Sequence, residues 1–172
     1  MPDKILIAYA TRCGATSEVA RHIGRVLSEA GAMVEVHPVK EVDDLGPYQA
    51  VIVGSAIRAG RWLPEAVRFV KRHAAALSQL PVAYFVVCLT MKDDTPEHRS
   101  TVNSYLDPVR QQVPEVQPLD VGLFAGAMTY TQLPIVARLM AKAVKAPQGD
   151  FRDWPAVTSW ASGLPSVLLH RG

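Results

Sequence analysis

Short apolar runs of strand length punctuate the chain: Lys4 to Ala10 (KILIAYA), Ala50 to Gly54 (AVIVG) and Val82 to Cys88 (VAYFVVC). A strand with one wet face alternates apolar and polar residues. These runs do not alternate, so they belong to a sheet covered by helices on both sides. Met33 to His37 reads as a second, partly alternating strand, and Asp120 to Phe124 as the best fifth. Helical spacing fills the gaps. Glu18 to Ala30 carries Val19, Ile23, Val26 and Leu27 on one face, with Thr16 or Ser17 as the natural cap and Gly31 closing the helix. Pro64 to Leu77, Glu97 to Gln112 and Trp154 to about Leu169 read as further helices. Strands alternating with helices predict an α/β fold with a parallel sheet and right-handed crossovers, doubly wound in the order 2-1-3-4-5.

A chain of 172 residues suits a single domain over 1–172, with no repeat or linker that would split it. Eighteen Lys and Arg against sixteen Asp and Glu leave a charge of +2, too balanced for a dedicated nucleic-acid binder. Cys13 and Cys88 cannot build a disulfide framework, which favours a reducing cytoplasm. The N-terminus lacks a signal-peptide pattern, and no run approaches the length of a membrane-spanning helix.

The segment from Gly126 to Asp153 departs from the simple alternation. Within it Thr131 to Lys145 reads as an extra helix with Pro134 in its first turn. Arg138, Lys142 and Lys145 share one face, against Leu133, Val136, Met140 and Val144, and no acidic residue occurs from Ala125 to Gly149. This is either a solvated basic face over a buried stripe or a surface for a membrane or an anionic ligand.

In a doubly wound sheet, ligands bind beyond the carboxyl ends of the strands where the order reverses. The first such loop, Thr11-Arg12-Cys13-Gly14-Ala15-Thr16-Ser17, leads straight into a helix. Hydroxyls, a glycine and the free amides of a helix start favour a phosphate. Several phosphate chemistries are excluded. There is no GxxxxGK[ST] and no GxGxxG, and the strand ends lack the acids of a phosphoacceptor domain. Neither cysteine is followed at the right distance by the arginine of a cysteine-dependent phosphatase, since those positions hold Val19 and Asp94.

The pattern Ile7-Ala8-Tyr9-x-Thr11-x-x-Gly14-x-Thr16-x-x-x-Ala20-x-x-Ile23 resembles the flavodoxin signature. It departs from it at Ala8, where a larger apolar residue is usual, and at Cys13, which replaces a common hydroxyl residue. The resemblance implies FMN as cofactor, its phosphate held by Thr11, Arg12, Cys13, Gly14, Ala15 and Thr16. One side of the flavin ring would meet the loop after strand three, with Ser55, Ala56, Ile57, Arg58 and Gly60. The other side would meet Leu89, Thr90, Met91 and Lys92 after strand four. Trp62 either stacks on the ring or packs over the next helix. Arg58 and Arg61 either sit in solvent or stabilise an anionic reduced flavin, which would make its potential less negative.

A narrower resemblance rests on Thr11-Arg12-x-Gly14-x-Thr16, Gly54-x-x-Ile57-Arg58-x-Gly60, Val70-Lys71-Arg72-His73, Asn103-Ser104-Tyr105, Gly126-Ala127, Tyr130 and Asp153-Trp154. With these the chain is similar to the flavodoxin-type, quinone-dependent protoporphyrinogen oxidases of bacteria, and the 126–153 segment matches that family's insertion. The resemblance implies oxidation of a porphyrinogen at a membrane surface, with a quinone as electron acceptor and Thr131 to Lys145 as the contact. The family's Arg/Tyr-rich stretch after Gly-Ala is here Met128 to Pro134, with no cation before Arg138.

No residue reads as a general acid or base. His98 is the one histidine placed near the flavin, while His22, His37 and His73 read as surface or packing residues. No spacing suggests a metal site. Electron or hydride transfer to a flavin relies on stacking and on exclusion of water, so no ionisable catalyst is required. The leading expectation is an FMN-dependent oxidoreductase of the porphyrinogen-oxidase type, cytoplasmic and peripheral on the inner face of the membrane. Its rivals are an FMN electron carrier between protein partners and a quinone reductase with a nicotinamide donor.

Overall fold

A computed structural model describes residues 3–12, 14–128, 134–143 and 149–169. The first strand, β1 (Lys4–Ala10), leads into α1 (Ala15–Glu29), and β2 (Met33–Pro38) follows. Next come β3 (Ala50–Arg58), a short β4 (Arg61–Trp62), α2 (Pro64–Arg72) and α3 (Ala74–Leu77). After β5 (Val82–Cys88) stand α4 (Pro96–Ser104), α5 (Asp107–Gln112) and β6 (Asp120–Ala125). The chain then forms β7 (Ala127–Met128), α6 (Ile135–Ala143), β8 (Gly149–Asp150) and α7 (Trp154–Leu168).

The main sheet runs β2-β1-β3-β5-β6, all parallel, with β4 folded back on β3; β7 and β8 pair separately. This is the doubly wound order that the apolar runs predict, with β5 and β6 as the fourth and fifth strands of that reading. Register explains why the runs are apolar throughout. Ile5, Ile7, Ile52 and Phe85 face α1 and α7, packing with Val19, Ile23, Leu27, Val157 and Leu164. Their neighbours Leu6, Ala8, Val51, Val53, Tyr84 and Val86 face the other way, onto Leu63, Phe69, Val70, Val102 and Leu106. Both faces lose water, and about 25 cal/mol per Å² of buried apolar area drives the sandwich together.

Several elements differ from the expected ones. The first helix begins at Ala15, and its cap is Gly14 in the left-handed region (φ 87°), not Thr16 or Ser17. Both of those lie inside the first turn, where the Ser17 hydroxyl donates back to the Gly14 carbonyl at 2.7 Å. The third strand continues to Arg58 and turns into β4, so Ser55 to Arg58 is strand rather than loop. Pro108 has no amide to donate, so the stretch from Glu97 to Gln112 breaks into α4 and α5, leaving Tyr105 and Leu106 at the junction. The Pro64 to Leu77 helix is likewise divided, at His73. Of the extra helix, Ile135–Ala143 is described. Thr131, Gln132, Leu133, Val144 and Lys145 lie outside the described residues, as do Cys13 and Tyr130.

Candidate functional site

The carboxyl ends of β1, β3 and β5 open into a cleft of about 750 Å³, within the ~300–1,000 Å³ usual for small-molecule sites. Thr11, Arg12, Ala15 and Thr16 form its first wall, and Ala56, Ile57, Arg58 and Gly60 the second. Val87, Cys88, Leu89 and Thr90 form the third, while Tyr105, Gly126, Ala127, Pro134 and Ala137 close the far end.

Local chemistry shapes the first wall. The Thr11 hydroxyl accepts from the Gly14 amide at 3.0 Å, bending the chain back over the strand end. The helical ladder starts with the Glu18 amide on the Gly14 carbonyl at 3.3 Å. The amides of Ala15, Thr16 and Ser17 therefore precede any intrahelical bond and carry the positive end of the helix dipole. Thr16 is buried, lines the cleft and has no hydrogen-bond partner among the described residues. A Cβ at Gly14 would meet nothing within 4 Å, so space remains around the turn. Free amides, a hydroxyl with no partner among the described residues and room beside them fit a phosphate, such as the terminal group of FMN.

Charge at the cleft is unevenly committed. Arg12 is tied to Glu65 in a two-point ion pair that raises the guanidinium's pKa and holds the carboxyl below its ordinary range. Arg58, on the second wall, is exposed and has no ion-pair partner among the described residues. Burial pushes the Cys88 thiol up, so it stays neutral beside the cleft.

Other predicted site residues stand apart from the cleft lining. Ser55 is fully buried; its hydroxyl donates to the Ala56 carbonyl at 2.7 Å and accepts from the Leu63 amide at 3.0 Å. It therefore pins the return of the hairpin. Met91 is buried in the core, and Lys92 is exposed, pairing with Asp93 and lying over the Phe151 ring. Gly14 shapes the first wall without lining it, and Cys13 is outside the described residues. Trp62 packs edge-on against Tyr84 with its ring centroid 4.8 Å away, which answers the choice between stacking and packing in favour of packing. The His98 ring is bonded to the Asp93 carbonyl and does not line the cleft.

Tyr105, Cys88, Val87, Ala127 and Ala137 line the cleft without having been singled out for the flavin. Two sequence signals bear on Tyr105: the Asn103-Ser104-Tyr105 motif, and Pro108, whose helix break leaves that residue at the junction of α4 and α5.

Comparison with known proteins agrees with the fold. The chain is 29% identical over 170 residues to protoporphyrinogen IX dehydrogenase (quinone) of Escherichia coli K12, covering 92% of each. It is 29% identical over 178 residues to the protein of that name in Leishmania major, covering 96% of this chain and 76% of that one. Among solved structures, the two-electron reduced flavodoxin of Megasphaera elsdenii superposes with a TM-score of 0.57 at 16% identity, covering 92% of this chain and 98% of that one. A short-chain flavodoxin associated with a bacterial microcompartment gives 0.57 at 13% identity, covering 94% and 96%. Since residues 6–154 match the family model described as a flavodoxin domain, the chain belongs to the flavodoxin domain family.

Proposed function

We propose that this protein is an FMN-dependent oxidoreductase that oxidises a porphyrinogen and passes the electrons to a quinone. The observation that carries the reading is the form of the cleft: a phosphate-ready helix start at one end and an apolar far end beneath α6 at the other. Similarity along nearly the whole chain to proteins named for that reaction supports a porphyrinogen as substrate and a quinone as acceptor.

When bound, FMN supplies the redox chemistry. The chain supplies the rest. Thr11, Arg12, Gly14, Ala15 and Thr16, with Cys13, hold the phosphate end. Ala56, Ile57, Arg58 and Gly60 on one side and Leu89 and Thr90 on the other border the ring. Ser55 and Met91 act from behind, fixing the two walls, and Lys92 stays outside the lining with Asp93. Val87, Leu89, Tyr105 and Ala137 exclude water, which a transfer between two organic redox groups requires.

Among the described residues no helix is long and apolar enough to cross a membrane. On α6, however, Ile135, Val136, Leu139 and Met140 are between 63% and 71% exposed. We read this helix as lying on an anionic bilayer, with Arg138 and Lys142 toward the lipid head groups. That places the cleft where a lipid-soluble quinone is concentrated.

The test is direct. The purified chain is loaded with FMN, then mixed anaerobically with protoporphyrinogen and a soluble quinone, and porphyrin fluorescence is followed. A fast rise that needs both FMN and quinone is expected. A chain that takes up no FMN overturns the whole reading. A chain that takes up FMN but oxidises no porphyrinogen overturns the substrate and favours a carrier between protein partners.

A further inference from the structure

The β3–β4 hairpin, whose Arg58 and Gly60 line the cleft, places two arginines opposite each other. Its register pairs Ile57 with Trp62 and Arg58 with Arg61. Between them Ala59 (φ 54°) and Gly60 (φ 74°) both lie in the left-handed region, as a tight two-residue turn requires. Residues directly opposite in such a ladder project to the same face. The Ile57–Trp62 face turns inward, with Trp62 only 1% exposed, so Arg58 and Arg61 stand together on the outer one. Like charges placed so oppose the pairing that holds them. Both arginines are exposed, and neither has an ion-pair or hydrogen-bond partner among the described residues. Across the cleft, Arg12 is already neutralised by Glu65. The uncommitted positive charge of this site is therefore gathered on one hairpin tip.

Beside that tip the cleft is apolar. The Tyr105 ring lies 3.7 Å from where a Cβ on Gly60 would stand, and Pro134 and Ala137 form the facing wall. We infer that Arg58 and Arg61 form a carboxylate clamp that selects a macrocyclic substrate with adjacent acid groups, while the Tyr105 end of the cleft seats its apolar body. This rests on the proposed porphyrinogen reaction, whose substrate carries propionates side by side on neighbouring rings. Guanidinium forks match carboxylates with parallel hydrogen bonds, and a dianion between them relieves their mutual repulsion. Arg58 and Arg61 are thereby specificity-determining residues.

Binding rather than turnover tests the clamp. The FMN-loaded full chain is titrated with mesoporphyrin IX, a fully oxidised dicarboxylate, and with its dimethyl ester, by porphyrin fluorescence. The wild-type chain is expected to bind the acid about tenfold or more tightly than the ester, the factor that one lost charge-assisted hydrogen bond corresponds to. In the Arg58→Gln/Arg61→Gln variant, which keeps the apolar stems, the acid should weaken to about the level of the ester. The Arg58→Lys/Arg61→Lys variant should keep a preference for the acid. A wild-type chain with no preference, or a glutamine variant that keeps the full preference, overturns the clamp. Lack of porphyrinogen oxidation by a chain that still distinguishes acid from ester would instead remove the proposed reaction and leave the clamp standing.

Discussion

Arg12 and Glu65 grip each other across the mouth of the cleft, Nη1 donating to Oε2 at 2.5 Å and Nη2 to Oε1 at 3.0 Å. Arg12 belongs to the loop after β1, Glu65 to the first turn of α2, so the pair ties the first wall of the site to α2. It sets a carboxylate beside the place proposed for a phosphate. Glu65→Gln should therefore tighten FMN binding severalfold, more so at low salt, because Arg12 is released and a repelling charge is lost. As the arginine is 45% exposed, the folded state should lose no more than about 1 kcal/mol. Flavin fluorescence titration at two salt concentrations checks the first outcome and urea unfolding the second.

Thr16→Val removes the buried hydroxyl at the start of α1 and keeps the shape of the side chain. FMN binding should weaken by roughly 1–3 kcal/mol, the cost of leaving a buried acceptor unpaired. An unchanged dissociation constant would mean that the backbone amides hold the phosphate alone.

Gly54 is needed for a different reason. A Cβ there would lie 2.0 Å from Cζ of Phe85, a fully buried ring between the sheet and α7. Gly54→Ala should destabilise the apoprotein by about 1–3 kcal/mol through overpacking. Adding Phe85→Leu, which clears that space, should return part of the loss. Urea denaturation of the single and double variants gives both values.

Both covered faces were legible because β1, β3 and β5 are apolar on successive residues, and the sheet order because strands alternate with helices along the chain. The cleft's position followed from that order, and the first wall from the hydroxyls around Gly14. The hairpin was not legible. Arg58-Ala59-Gly60-Arg61 lacks the Asn-Gly or Asp-Gly that usually announces a two-residue turn, so a strand end and its return looked like one loop. The start of α1 was placed three residues late, since Thr16 and Ser17 have the chemistry of caps while the left-handed turn at Gly14 does the capping. Ser55 looked like a ligand residue for a similar reason: nothing local shows that its hydroxyl is spent on the Leu63 amide.

Acid sensitivity should centre on Glu35. Hydrogen bonds from Lys4, His37 and Tyr48 lower its carboxyl from 4.5 to about 2, while burial and that carboxylate push Tyr48 up to about 12. A depressed carboxyl stabilises the fold above its unfolded value and loses that contribution as pH falls toward the folded value. The stability difference between the wild type and Glu35→Gln should thus be full above pH 4.5 and shrink to nothing near pH 2. Chemical denaturation at a series of pH values would show it; a difference independent of pH would contradict the assignment.

The outer face of α6 gives a further outcome. Leu139→Ser/Met140→Ser removes apolar surface that is already exposed, so thermal stability should hold within the scatter of surface changes, about 0.5 kcal/mol. Flotation with vesicles containing anionic lipid should fall sharply, and with it turnover of a quinone confined to those vesicles. Equal flotation of both proteins would take the bilayer role away from this helix.

Trp62 sits in the core while its neighbour Arg61 stands in solvent, and Ser55 locks the adjacent Leu63 amide. The hairpin is thus nailed at its base and open at its tip. Such a bracket lets residues 58–61 be exchanged as a cassette, changing which molecules the cleft admits while the turn at Gly14 and the start of α1 stay as they are. Retargeting this protein to a new substrate would begin at that tip.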